Sequence, residues 1–115
     1  MKPVKLGVRK NGSLRLWIEG ARLFKAGFNS GDKFAMEFVK MDEFDHGTTI
    51  ITKDVGGSRT VSGKPRKNGK PRPIIDVHNG AFATLFPSGL VNIEFGPHQL
   101  IVRDSSDTST LYNVA

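Results

Sequence analysis

The tetrapeptide Arg9-Lys10-Asn11-Gly12 returns unchanged as Arg66-Lys67-Asn68-Gly69, and it is the first of several blocks that recur in the same order. Trp17-Ile18-Glu19 aligns with Ile74-Ile75-Asp76, and Gly31 aligns with Gly89 after a one-residue shift. Met36-Glu37-Phe38 then matches Ile93-Glu94-Phe95, and Ile50-Ile51-Thr52-Lys53-Asp54 matches Leu100-Ile101-Val102-Arg103-Asp104. One short identity in a Lys- and Gly-rich chain carries little weight, but a shared order of blocks marks two tandem copies of a single supersecondary unit. The main difference between them is a loop near 42–47, about seven residues longer in the first copy.

A chain of 115 residues has room for one compact core rather than two ordinary domains. A single domain over 1–104 is therefore expected, with unit one at 4–54, unit two at 59–104, a flexible link at 55–58 and a flexible polar tail at 105–115. Eight Phe and Trp17 supply large apolar groups, so a packed globule is expected rather than a disordered chain.

Within each copy, Asn-Gly flanked by alternating apolar residues predicts a hairpin closed by a type I′ turn. In unit one its arms are 4–10 and 14–19, where Leu14, Leu16 and Ile18 alternate with Arg15 and Trp17. Trp17 is read as cross-strand or core packing rather than as a base-stacking platform. Residues 21–26 predict a short helix that Gly27 ends in the left-handed region, with Phe28 packing after the cap. Strands follow at 34–39 and at 48–54, which is rich in β-branched residues. Unit two repeats the plan at 71–76, 81–86, 90–95 and 99–103, with Pro71 and Pro73 restricting that strand to an edge or its start. The fold class is thus mainly β: a small barrel-like domain from two strand-strand-short helix-strand-strand units.

Cysteine is absent, which excludes disulfides, thiolate metal sites and a Cys nucleophile, and suits a reducing cytoplasm. No apolar run has the length of a signal peptide or a membrane span, so no membrane partner is expected. Seventeen Lys and Arg against eleven Asp and Glu give a net charge of +6, which attracts polyanions. That charge concentrates in one element. Arg59, Lys64, Arg66, Lys67, Lys70 and Arg72 occur between 59 and 72 with no acid among them, and Arg9, Lys10 and Arg15 hold the matching places in unit one. These nine residues are the candidate nucleic-acid contacts, binding phosphate with strong salt dependence and little sequence information. The blander alternative is a solvated hairpin whose charge protects strand edges from aggregation.

Positive support for catalysis is lacking, so no catalytic residue, metal ligand or cofactor is assigned. His46, His78 and His98 are scattered through loops without ligand spacing. Asp76 and His78, two residues apart, would face the same side if they lay on a strand, but they make only a weak acid–base pair. The acidic run Asp42-Glu43-Phe44-Asp45 reads as a solvated loop or as a contact for a protein partner.

The segment 14–32, reading Leu-Arg-Leu-Trp-Ile-Glu-Gly-Ala-Arg-Leu-Phe-Lys-Ala-Gly-Phe-Asn-Ser-Gly-Asp, resembles the central motif of SymE-type toxins within the AbrB/SpoVT/MazE-like swapped-hairpin group. The two copies with a basic hairpin between them also resemble the short segment ahead of some bacterial and phage DNA cytosine methyltransferases, without the catalytic part. The resemblance extends to about residue 54, and the second copy follows only the outline, with Leu85-Phe86-Pro87-Ser88-Gly89 in place of the Ala-Gly-Phe motif. It implies a small barrel that binds DNA or acts on RNA and is usually assembled from two chains exchanging hairpins. Here one chain would supply both halves, as a monomer with an internal pseudo-twofold axis or as a homodimer of such chains.

The leading expectation is a cytoplasmic nucleic-acid-binding protein, DNA favoured over RNA and nucleoid-associated if so. The alternatives are a small phage or mobile-element protein that inhibits or adapts a protein partner, and a SymE-like RNA-cleaving toxin using His78, Asp76 and nearby arginines.

Overall fold

The computed structural model describes residues 3–39 and 47–106. In chain order the first unit gives β1 (Val4–Lys5), β2 (Gly7–Val8), β3 (Leu14–Glu19), α1 (Ala21–Lys25), β4 (Lys33–Val39) and β5 (Thr48–Lys53). The second gives β6 (Arg59–Thr60), β7 (Ser62–Lys64), β8 (Arg72–His78), α2 (Phe82–Leu85), β9 (Leu90–Gly96) and β10 (Gln99–Asp104). The protein is mainly β, and the two units follow the same plan.

One sheet runs β1-β9-β10-β5-β4-β6 and curls into a half-barrel, and the other runs β2-β3-β8-β7. Exchanging the two units leaves both orders unchanged, which defines a pseudo-twofold axis. In the smaller sheet the axis falls where Ile18 faces Ile75. In the larger it falls between the Ile50–Ile101 and Ile51–Leu100 pairs. The units also trade their first strands. β1 adds to β9 through Val4 opposite Val91, and β6 adds to β4 through Arg59 opposite Phe34.

This exchange corrects the expected first hairpin. Alternation read 4–10 as one arm, but Leu6 is buried and divides it, sending β1 to one sheet and β2 to the other. Only Gly7 and Val8 pair with β3. The turn also differs from type I′. Arg9 O accepts from Gly12 N at 2.9 Å and Arg9 N donates to Ser13 O at 2.9 Å. Gly12 alone takes a positive φ, 86°, while Asn11 does not. The loop is therefore a type I turn followed by a left-handed glycine, the three-residue hairpin connection. The Asn11 carboxamide oxygen accepts from the Ser13 amide and hydroxyl instead of the residue adopting αL.

Helix α1 ends as the sequence predicts. Phe28 N donates to Leu23 O at 3.2 Å and Gly27 N to Phe24 O at 3.0 Å, the paired bonds of a Schellman cap, with Gly27 at φ 101°. Leu23 and Phe28 are both fully buried and close the cap with an apolar contact. Phe24, the next residue along the helix, is exposed.

The core lies between the sheets, where Leu16, Ile18, Ile75 and Val77 from the smaller sheet meet Phe34, Ile51, Leu100 and Val102 from the larger. Phe82 and Phe86 of the α2 region pack with ring centroids 5.3 Å apart. Pro73 is compatible with a central strand because it pairs with Gly63 of β7, while the β3 ladder begins only at Ile74. The expected flexible link at 55–58 is a bonded turn. Gly57 N donates to Asp54 O at 2.8 Å, and Gly57 lies so close to the Phe34 backbone that an added Cβ would come within 2.3 Å of its oxygen. The acidic run 42–45, His46 and most of the polar tail lie outside the described residues.

Candidate nucleic-acid interface

The smaller sheet turns Leu16, Ile18, Ile75 and Val77 to the core, so alternation sends Arg15, Trp17 and Glu19 of β3 and Arg72, Ile74, Asp76 and His78 of β8 to its outer face. Two ion pairs cross this face, and the pseudo-twofold relates them. Arg15 grips Asp76 with Nε to Oδ1 at 2.6 Å and Nη2 to Oδ2 at 2.7 Å. Its counterpart Arg72 approaches Glu19 Oε2 only to 3.6 Å. The hydrogen bonds from Arg15 hold the Asp76 carboxyl below its usual range, and the same contact raises the Arg15 guanidinium.

Trp17 belongs to this face, the mixed one to which alternation assigns it, and packs there against its neighbours rather than in the core. It is 40% exposed, its ring lies under the Arg15 guanidinium at 4.5 Å, and it donates from Nε1 to Glu19 Oε1 at 3.1 Å. Alternation placed it there, since Leu16 and Ile18 on either side are buried.

The hairpin loops project from opposite ends of the sheet. Loop 9–13 joins β2 to β3 and carries exposed Arg9 and Lys10. Loop 65–71 joins β7 to β8 and carries exposed Arg66, Lys67 and Lys70, with Lys64 and Arg72 facing each other at its base. Arg66 Nε donates to Lys70 O at 2.9 Å, which closes the neck of this loop. Among the described residues, no carboxylate lies within ion-pair distance of Arg9, Lys10, Lys64, Arg66, Lys67 or Lys70.

The nine predicted contacts thus divide into three groups. Six sit in or beside the loops with free charge. Arg15 and Arg72 lie on the sheet between them, Arg15 held by two hydrogen bonds to Asp76. Arg59 is half-buried in β6, on the edge of the other sheet. Asp76 and His78 do share the outer face, but Asp76 is committed to Arg15, and His78 stands directly across the ladder from that arginine.

A residue group that sequence reasoning missed lies between α1 and loop 65–71. There Gly20, Ala21 and Phe24 face Arg66, Lys70, Pro71, Arg72 and Pro73 across a cleft of about 400 Å3. Its cations Arg66, Lys70 and Arg72 are among the predicted contacts, but nothing in the sequence joined them to Phe24, an exposed apolar residue on a short helix.

No helix among the described residues is long and apolar enough to cross a membrane. No family model matches the chain, and comparison with curated proteins and with solved structures finds no significant match.

Proposed function

We propose that this protein is a DNA-binding module or regulator that holds the phosphate backbone with its two basic hairpin loops. The observation that carries the proposal is the placement of those loops at opposite ends of one sheet, related by a twofold axis that passes through the sheet. They leave the sheet at Leu14 and Arg72, about 24 Å apart along the strand direction at about 3.4 Å per residue. Their tips extend beyond this within a molecule whose longest dimension is 44 Å. That range brackets the roughly 34–36 Å between successive turns of one groove of B-DNA, so both loops can engage one face of a duplex with matching symmetry. The resemblance of segment 14–32 to the swapped-hairpin group points the same way. The expected setting is the cytoplasm, in association with the nucleoid.

The test is fluorescence anisotropy with labelled duplex DNA, single-stranded DNA and RNA across a salt series. Five loop cations, Arg9, Lys10, Arg66, Lys67 and Lys70, predict a log–log salt slope of about −4.5 on duplex DNA. A flat salt dependence, or no binding at low salt, would sink the reading and turn the search toward a protein partner. RNA cleavage abolished by His78→Ala would replace it with a toxin.

A further inference from the structure

We infer that the cleft between α1 and loop 65–71 is a nucleotide site, with the base against Phe24 and the phosphate on Arg66 and Lys70; this rests on the nucleic-acid reading and gives it a second mode of contact. Its volume, about 400 Å3, lies within the roughly 300–1,000 Å3 of sites for small organic ligands. Its walls pair flat apolar surfaces, Phe24 and the rings of Pro71 and Pro73, with the cations Arg66, Lys70 and Arg72. An aromatic base joined to a phosphate has this combination of surfaces.

Phe24 is 49% exposed, and its helix neighbour Leu23 is fully buried, so the ring is displayed while the backbone beneath it is fixed. Stacking on such a ring accepts any base, because every base offers a π face. Among the described residues, Glu19 approaches Arg72 at 3.6 Å, and no carboxylate lies within ion-pair distance of Arg66 or Lys70.

The two halves of the pseudo-twofold differ at this place. In the first unit the shorter loop 9–13 stands where 65–71 does in the second. Arg15, the counterpart of Arg72, is clamped on Asp76 at 2.6 and 2.7 Å and stacked on Trp17. The second unit instead holds its arginine loosely and has a longer loop containing Pro65 and Pro71. The halves differ where a ligand would need them to differ. A base and phosphate reach this cleft either as an unpaired nucleotide within a strand or as a free nucleotide.

Three probes separate these outcomes: a short labelled duplex, the same duplex with one unpaired adenosine, and free adenosine monophosphate followed by calorimetry. The expected result is that the protein binds the bulged duplex about tenfold more tightly than the perfect one. Phe24→Ala should erase that preference without changing affinity for the perfect duplex, and Phe24→Trp should retain it. Saturable binding of adenosine monophosphate that is lost in Phe24→Ala, with no bulge preference, would assign the same site to a free nucleotide. Equal affinity for both duplexes together with no adenosine monophosphate binding overturns the cleft proposal and leaves the loop reading intact. Adenosine monophosphate binding without duplex binding does the reverse.

Discussion

Ile18 lies directly across the β3–β8 ladder from Ile75, its own counterpart in the second unit, so the pseudo-twofold axis passes between two buried isoleucines. Each contributes its side chain to the same side of the sheet, and the two halves of the protein join there. Truncating either to Ala is expected to cost about 2–5 kcal/mol. Because they share one packing environment, the double substitution should depart from the sum of the singles by about 0.5–3 kcal/mol. Urea unfolding of the four species measures this, and strict additivity would show that the residues do not pack as one cluster.

Asp104, at the end of β10, is 1% exposed and accepts hydrogen bonds from the Ser88 amide at 3.0 Å, the Ser88 hydroxyl at 2.7 Å, the Ser106 amide at 3.0 Å and the Ser106 hydroxyl. Burial pushes its carboxyl upward, but the four donors outweigh burial and hold it below its ordinary value. A carboxyl depressed in the folded state adds stability above its unfolded pKa, near about 3.9, and loses it as pH falls through the lower folded value. Thermal stability should therefore fall below about pH 4, and Asp104→Asn should flatten that dependence. Asp104→Ala strands the two amides and is expected to cost about 2 kcal/mol.

Charge reversal in the loops tests the interface directly. Arg66→Glu with Lys67→Glu, and separately Arg9→Glu with Lys10→Glu, should each weaken duplex binding and reduce the salt slope by about two, one for each phosphate no longer neutralised. The two effects should be comparable if the loops grip one duplex together. Retention of full affinity in either double variant would remove that loop from the interface.

Release of a restrained arginine is expected to have the opposite effect. Asp76→Ala frees Arg15 on the sheet between the loops, adding one cation where a duplex would lie, so binding should tighten and the salt slope should steepen by about one. The same substitution removes a partly exposed ion pair and should change stability by less than about 1 kcal/mol. Unchanged affinity would confine DNA to the loop tips.

Much of the fold was legible because local signals and global symmetry agreed. Gly27 and Phe28 announced the cap of α1, and the recurring blocks aligned residues that the structure brings face to face, Ile18 with Ile75 among them. What escaped depends on partners that no local pattern carries. Leu6 fits an uninterrupted alternating strand, and only the presence of β9 draws residues 4–5 away from β3. Asn11-Gly12 allows two turn geometries, and the three-residue version prevails because Asn11 engages its side chain with Ser13. In the interface, sequence located the cations but not their state: nothing in the spacing of Arg15 and Asp76 distinguishes a bound arginine from a free one. The cleft beside Phe24 is formed by segments far apart in the chain, one from each unit.

The exchange of first strands has a kinetic consequence. As the chain emerges from its N-terminal end, β1 has no partner until β9 exists, and β4 lacks its outer neighbour until β6 follows. The first unit must therefore wait, partly assembled, for the second. Pairings this distant in sequence carry a large loop-closure cost and slow folding. Interruption of synthesis between the units would leave β4 and β5 with an open, aggregation-prone edge, so cellular yield of this protein should depend on the speed at which its second half arrives.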